Sequence, residues 1–256
     1  TVSEDVVLIA EFAINSYDVN LNVSGSGSVT GGGTYNYGKT AILLATPSEN
    51  YHFVKWSDGN IDNPRMLAVT EDINLIAEFA IDVYTVTLNA ENGTVTGVGE
   101  YNHGTEVTLT ATPTEGYHFV RWSDGETNAT RIITITSDVN LTAEFAINQY
   151  QVTLESDVNG IVTGSGVYDY GIEVTIEAIA NEGYRFVQWS DENTENPRTI
   201  VVTEEVELMA EFAINQYEVN VTADGNGTVT GSGTYDYGTE VTIEATANDG
   251  YHFVQW

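Results

Sequence analysis

Near its end the chain alternates in polarity: Tyr217, Val219, Val221 and Ala223 are apolar, while Glu218, Asn220 and Thr222 between them are polar. A period of two sends every second side chain to one face of an extended strand, so this run predicts a half-buried β-strand. Asp224-Gly-Asn-Gly227 follows as a turn. Val229, Gly231, Gly233, Tyr235 and Tyr237 share one face of the next strand, which Gly238 ends. Val241, Ile243, Ala245 and Ala247 make a third alternation, closed by Asn248-Asp-Gly250. Tyr251 and Phe253 open a fourth strand, with Val254 and Trp256 on its other face. A fifth is legible further upstream as Val206, Leu208, Ala210, Phe212 and Ile214. No stretch carries a 3.6-residue period, so the expectation is an all-β protein with essentially no α-helix.

The same pattern recurs. Tyr51-His-Phe-Val-Lys-Trp56 returns at Tyr117, Tyr184 and Tyr251, with Trp spacings of 66, 67 and 67. Glu-Phe-Ala-Ile recurs at Glu11, Glu78, Glu144 and Glu211, with spacings of 67, 66 and 67. Two markers on one period define a tandem array. The units are small, about 67 residues and about five strands each, β-grasp-like or a small sandwich. The expected divisions are 1–14 (the terminal strand of a preceding repeat), 15–81, 82–147, 148–214 and 215–256, the last without its final strand.

At each internal junction the facing parity flips: Ile214 ends one alternation and Tyr217 begins the next. A one-residue slip turns side chains to the opposite face, as a strand leaving one core and entering another requires. No Gly-, Pro- or Ser-rich linker intervenes, which predicts a stiff array. With units of about 30–35 Å, four would reach about 120–140 Å. The ends are out of phase with the repeat. Val6, Leu8 and Ala10 match Val206, Leu208 and Ala210, and Trp256 precedes the loop that follows every other such Trp. Three accounts fit: a window from a longer array, a strand donated head to tail to another copy, or ring closure as a propeller. The last suits a 67-residue unit least.

Composition narrows the functional classes. The hydrophobic fraction of 41% is enough for packed cores. Against 38 Asp plus Glu stand 7 Lys plus Arg, for a net charge of −31. Such a surface repels phosphate backbones and anionic lipid, so nucleic acid is not an expected partner. No apolar run approaches the roughly 20 residues of a spanning helix, so direct membrane insertion is not expected. Cysteine is absent, which excludes disulfides and thiolate metal sites.

Gly116-Tyr-His-Phe-Val-Arg-Trp-Ser-Asp-Gly125, followed by Val139-Asn-Leu-Thr-Ala-Glu-Phe145, resembles the divergent internalin-type B repeats of bacterial surface proteins. The Asn63-Pro-Arg65 and Asn196-Pro-Arg198 steps match the same pattern, and the resemblance covers the chain four times over. It implies small β-rich modules in the stalks of secreted or wall-attached proteins, where they space or present other domains. The chain departs from the better-known repeats in ending its units with Glu-Phe-Ala, and no segment suits a grasp-type helix.

Candidate sites follow. Trp56, Trp122, Trp189 and Trp256, with Phe12, Phe79, Phe145 and Phe212, are expected to form the cores of units this small. Tyr35/Tyr37, Tyr168/Tyr170 and Tyr235/Tyr237 form same-face pairs, with Tyr101/His103 in the remaining copy; these make a partly exposed aromatic strip. After each Trp, oxygen-bearing side chains alternate: Asp58, Asn60, Asp62; Asp124, Glu126, Asn128; Asp191, Asn193, Glu195. That spacing suits calcium, but the bidentate Glu at position twelve is missing, and the same residues build turns. Arg65, Arg131 and Arg198 are expected to pair with a carboxylate such as Glu78 or Glu144. His52, His118 and His252 align, but Arg185 takes that place in the third copy and His103 stands alone, so a His-dependent catalytic site in each copy is not expected. No phosphate loop, nucleophile elbow or metalloprotease motif occurs.

Two classes survive. One is a non-enzymatic extracellular stalk, spacer or filament whose partners are neighbouring repeats or other copies of the chain. The other is a multivalent adhesin or glycan-binding array meeting a glycan or host surface, each copy adding a weak site. What all copies share reads as core and turn, which favours the structural class. No cofactor is expected beyond the calcium alternative.

Overall fold

The computed structural model describes all residues 1–256 and contains strands and no helix. The first repeat runs β1 (Ser16–Ser24), β2 (Gly27–Thr30), β3 (Gly33–Asn36), β4 (Thr40–Pro47), β5 (Tyr51–Trp56), β6 (Arg65–Ala68) and β7 (Ile73–Ile81). Seven strands form two sheets, one ordered β3-β1-β7-β5 and the other β2-β4-β6. Every pairing is antiparallel except β1 with β7, which is parallel from Val19↔Ile73 to Ser24↔Glu78. The second and third repeats reproduce this order, and the fourth holds two two-stranded pieces. Each complete unit is therefore a small sandwich.

The two extra strands beyond the expected five have a local cause. The run through Val29, Gly31, Gly33 and Tyr35 is not one strand. Gly31 has φ 100° and its would-be Cβ points into the Ile42 carbonyl, so only glycine turns this corner. The corner moves the chain from the second sheet to the first, ending β2 and starting β3. The other addition is β6, beginning at the loop arginine.

The core lies between the sheets. Val19, Leu75, Ala77 and Phe79 face Ala41, Leu43 and Ala45 across it, with Trp56 fully buried. The expected alternation holds in β4 and β7 but fails in β5. A bulge between Phe53 and Lys55 shifts the register, so Phe53 and Trp56 both face inward, ring centroids 5.6 Å apart, and Val54 turns out. Phe79 seats its ring over Gly27, whose bare backbone makes room for it; Phe145 over Gly93 and Phe212 over Gly160 repeat the arrangement. Glycine is needed here for space, since Gly27 is not in the left-handed region.

Two expected core aromatics are exposed. Phe12 is 94% exposed and residues 1–15 form no strand: this segment pairs with no sheet, so nothing covers the ring. Trp256 is 57% exposed because the seventh strand that covers its counterparts follows the Trp in sequence. A cleft of about 530 Å³, lined by Tyr251, Phe253 and Trp256 among others, occupies that position in the fourth repeat.

The chain divides into two compact units, Thr1–Pro113 with Phe119–Phe145, and Thr114–His118 with Ala146–Trp256. Within the first, repeats 1 and 2 meet; within the second, repeats 3 and 4 meet.

Candidate functional site at the repeat junctions

One residue connects consecutive repeats. Asp82 lies between strands ending at Ile81 and starting at Val83, and Asn148 and Asn215 hold the same position. The facing parity changes here: Leu75, Ala77 and Phe79 are buried before it, Val86 and Leu88 after it. Each connector is hydrogen-bonded on both sides. The Asp82 N–H donates to the Asn50 carbonyl at 2.9 Å and its carbonyl accepts from the His103 N–H at 2.8 Å. Asn148 bridges the Gly116 carbonyl and the Tyr170 N–H, and Asn215 the Gly183 carbonyl and the Tyr237 N–H, all at 2.8 Å. A connector with both backbone groups engaged has lost the torsional freedom of a linker.

Side chains brace the same point. His52 Nδ1 lies 2.9 Å from Asp82 Oδ1, and His118 Nδ1 lies 2.8 Å from Asn148 Oδ1. Arg185, in the aligned position, donates to the Ile214 carbonyl at 2.7 Å. The position that varied among copies is thus a junction brace that several side chains serve.

The aromatic strip resolves into two roles. Tyr35, Tyr101, Tyr168 and Tyr235 are half-buried, and each hydroxyl donates to the carbonyl of the corner glycine four residues earlier. Tyr170 and Tyr237 instead reach back over the junction. The Tyr170 ring covers Gly116 and its hydroxyl donates to Glu115 Oε1 at 2.7 Å; Tyr237 covers Gly183 and donates to Glu182 Oε1 at 2.8 Å. The hydrogen bond to the carboxylate raises each hydroxyl above the ordinary tyrosine value. At the first junction the equivalents are Asn50, with φ 62°, and His103, whose ring lies 6.1 Å from Tyr84. Tyr37 is exposed and rests 6.4 Å from Tyr17. The tyrosines therefore do not form a continuous exposed platform: one set belongs to the core edge, the other to the junctions.

The loops after Trp are stapled internally. Asp58 Oδ1 accepts from the Asn60 N–H and Asn60 Oδ1 from the Asp62 N–H, at 3.2 and 2.8 Å. Both Asp58 oxygens also receive the Arg65 guanidinium, at 2.8 and 2.6 Å. Arg131 reaches Asp124 and Arg198 reaches Asp191, each at 2.6 Å. The loop aspartate, seven residues before the arginine, is thus the partner, in place of Glu78 or Glu144. Those two pair instead with Lys55 and Arg121. The Arg hydrogen bonds hold the Asp58 and Asp124 carboxyls below the usual range. Desolvation pulls Asp191 upward, but the bond from Arg198 and the loop N–H of Asn193 leave it lowered. Trp56, Trp122 and Trp189 donate their indole N–H to the loop carbonyls of Asp62, Asn128 and Glu195, tying loop to core. The Asp58 and Asn60 side-chain oxygens accept from the loop's own backbone N–H groups, Asp58 also from the arginine, and Asp62 Oδ2 accepts from the Asn60 side-chain amide at 3.3 Å; no three His, Asp or Glu side chains gather as a metal-holding group.

The model of the divergent InlB B-repeat domain matches four times, over residues 17–82, 84–149, 150–216 and 217–256. A protein of Evansella cellulosilytica named as a membrane protein is 28% identical over 98% of this chain and 40% of its own length. A second from the same organism, named as a Gly-rich membrane protein, is 27% identical over 89% of this chain and 29% of its own length. The chain thus spans less than half of either relative. Among solved structures, the Bacillus anthracis TIE protein aligns with 77% of this chain and 50% of its own, at TM-score 0.41 and 10% identity. This chain belongs to the divergent InlB B-repeat family, as four tandem copies of that domain.

Proposed function

We propose that the array is a non-enzymatic spacer in a protein displayed on the cell exterior, holding other parts of that protein at a set separation. The observation that carries this reading is the connector: one residue, hydrogen-bonded to both neighbours, at all three junctions. A spacer needs fixed angles between modules more than it needs a binding cleft. Membership of a repeat family and two relatives named as membrane proteins support the location. The acidic surface supports the role, since like charge on successive repeats disfavours their folding back on one another.

Residual dipolar couplings on the full chain test the reading. Repeats 1 and 2, analysed separately, are expected to report one common alignment tensor. Distinct tensors, or a much weaker one for either repeat, would mean independent tumbling and would overturn it.

A further inference from the structure

The path of the chain through each repeat has a mechanical consequence. It enters at the start of β1 and leaves at the end of β7. These strands are hydrogen-bonded neighbours in the middle of the four-stranded sheet, and they run parallel. The entry and exit points therefore lie at opposite ends of the pair. Tension along the chain draws β1 and β7 past each other along their own axes. All the inter-strand bonds from Val19↔Ile73 to Ser24↔Glu78 are then strained together. Had the terminal strands been antiparallel, the same tension would open the ladder from one end, one bond at a time.

We propose that each complete repeat is a load-bearing clamp, built to resist tension in shear through its parallel first and seventh strands. The pairing recurs in repeat 2 from Val86↔Val139 to Ala90↔Ala143 and in repeat 3 from Val152↔Val206 to Ser156↔Ala210. Bonds outside the ladder join the same regions. The Asp18 N–H donates to Asp72 Oδ1 just before β7, and the Thr85 and Gln151 N–H groups donate to Asp138 and Glu205 in the equivalent places. Asn20 and Asn74 bond side chain to side chain across the two strands at 3.2 Å, as Asn89 and Asn140 do at 3.4 Å. One face of the pair is sealed by the core, where Val19, Leu75 and Ala77 are buried, so water reaches those bonds from one side only. The single-residue connectors pass tension from one clamp into the next without slack.

This goes beyond spacing: it rests on the repeats being linked in series, and it would hold even if the junction angles were loose. Single-molecule force spectroscopy of the full chain tests it by changing the direction of load. The chain has no cysteine, so Ser137→Cys supplies one handle at an exposed position just before the seventh strand of repeat 2. Pulled between the N-terminus and residue 137, repeat 1 is loaded end to end. Repeat 2 is loaded across the same end of its two parallel strands and peels. Contour gain separates the events, since about 54 residues released from repeat 2 extend roughly 180 Å and about 65 from repeat 1 roughly 220 Å. Repeat 2 is expected to open at about half the force of repeat 1 or less, because bonds broken singly present a lower barrier than bonds broken together. Pulled end to end, the unsubstituted chain is expected to open repeats 1, 2 and 3 in one high-force class. Equal forces for repeat 2 in both directions would overturn the clamp. That outcome leaves a shared alignment tensor untouched, so the clamp and the spacer fail separately.

Discussion

Replacing Gly27 by alanine tests how the two sheets are locked. A Cβ at Gly27 would lie 2.6 Å from both Cε2 and Cζ of Phe79 and 2.8 Å from Cδ2. Ordinary carbon–carbon contact is about 3.5–4.0 Å, so the ring must retreat by about 1 Å. It has little room, because Phe79 is buried and Phe53 packs edge-on at 5.9 Å. Overpacking of this kind costs about 1–3 kcal/mol. Working against it, alanine restricts the unfolded chain and returns about 0.4–1 kcal/mol where the backbone tolerates it. Gly27 is in a strand without positive φ, so it qualifies. The net expectation is a loss of about 1–2 kcal/mol from Gly27→Ala alone. In a Phe79→Leu background the ring is gone, the steric cost disappears, and the same substitution becomes neutral or mildly stabilising. Four linked repeats need not unfold in two states, so the assay is native-state hydrogen exchange read at the amides of β1 and β7. A coupling of at least about 1 kcal/mol between the two sites is expected; additivity within about 0.3–0.5 kcal/mol would show that the ring and the glycine do not interlock.

Two further predictions concern charge. The Asp58, Asp124 and Asp191 carboxyls sit below their ordinary value, so their contribution is full above about pH 4 and is lost as pH falls through the lowered native values. Arg131→Met should lower the stability of repeat 2 at pH 7 by less than about 1 kcal/mol, the pair being partly exposed, and flatten its acid dependence. An unchanged acid limb in hydrogen exchange would contradict this. The Tyr170 and Tyr237 hydroxyls are shifted upward, so their contribution is full below about pH 10 and is lost as pH rises through the raised native values. Replacing both tyrosines by Phe should remove that alkaline loss of protection at the Asn148 and Asn215 amides, which donate to the Gly116 and Gly183 carbonyls, while Tyr168→Phe should leave it.

How far the fold was legible depends on the element. Strands β4 and β7 keep a strict period of two, so their inward residues, Ala41, Leu43 and Ala45 and then Leu75, Ala77 and Phe79, were readable directly. Trp56 is buried in the core as expected, but strict alternation puts it on the face opposite Phe53; the bulge between Phe53 and Lys55 adds one residue to the period without any change of residue type, so the two share a face. Alternation alone makes the β2–β3 corner a continuous strand, since glycines at alternate positions mimic an inner face. Positive φ at Gly31 is a property of the backbone that alternation does not report. The parallel partnership of β1 and β7 has no local signature, as the two strands are some 50 residues apart in sequence. Part of the junction is written in the differences between copies. Tyr170 and Tyr237 follow repeats carrying Gly116 and Gly183, whereas His103 follows Asn50, so the ring and the glycine vary together from copy to copy. Likewise Asp58 and Arg65, Asp124 and Arg131, and Asp191 and Arg198 each keep a separation of seven, a constancy that points to their pairing.

A spacer requires fixed geometry between neighbouring repeats, and distances between paired spin labels measure it directly. Thr30, Thr96, Thr163 and Thr230 are exposed and occupy the same place at the end of the second strand of each repeat, and the absence of native cysteine makes each labelled pair unique. With labels at Thr30→Cys and Thr96→Cys, or at Thr163→Cys and Thr230→Cys, electron–electron double resonance should return a single narrow distance for each pair, no broader than the labels' own rotamer spread. Broad or multiple distances within either pair would show a flexible string of domains and contradict the spacer.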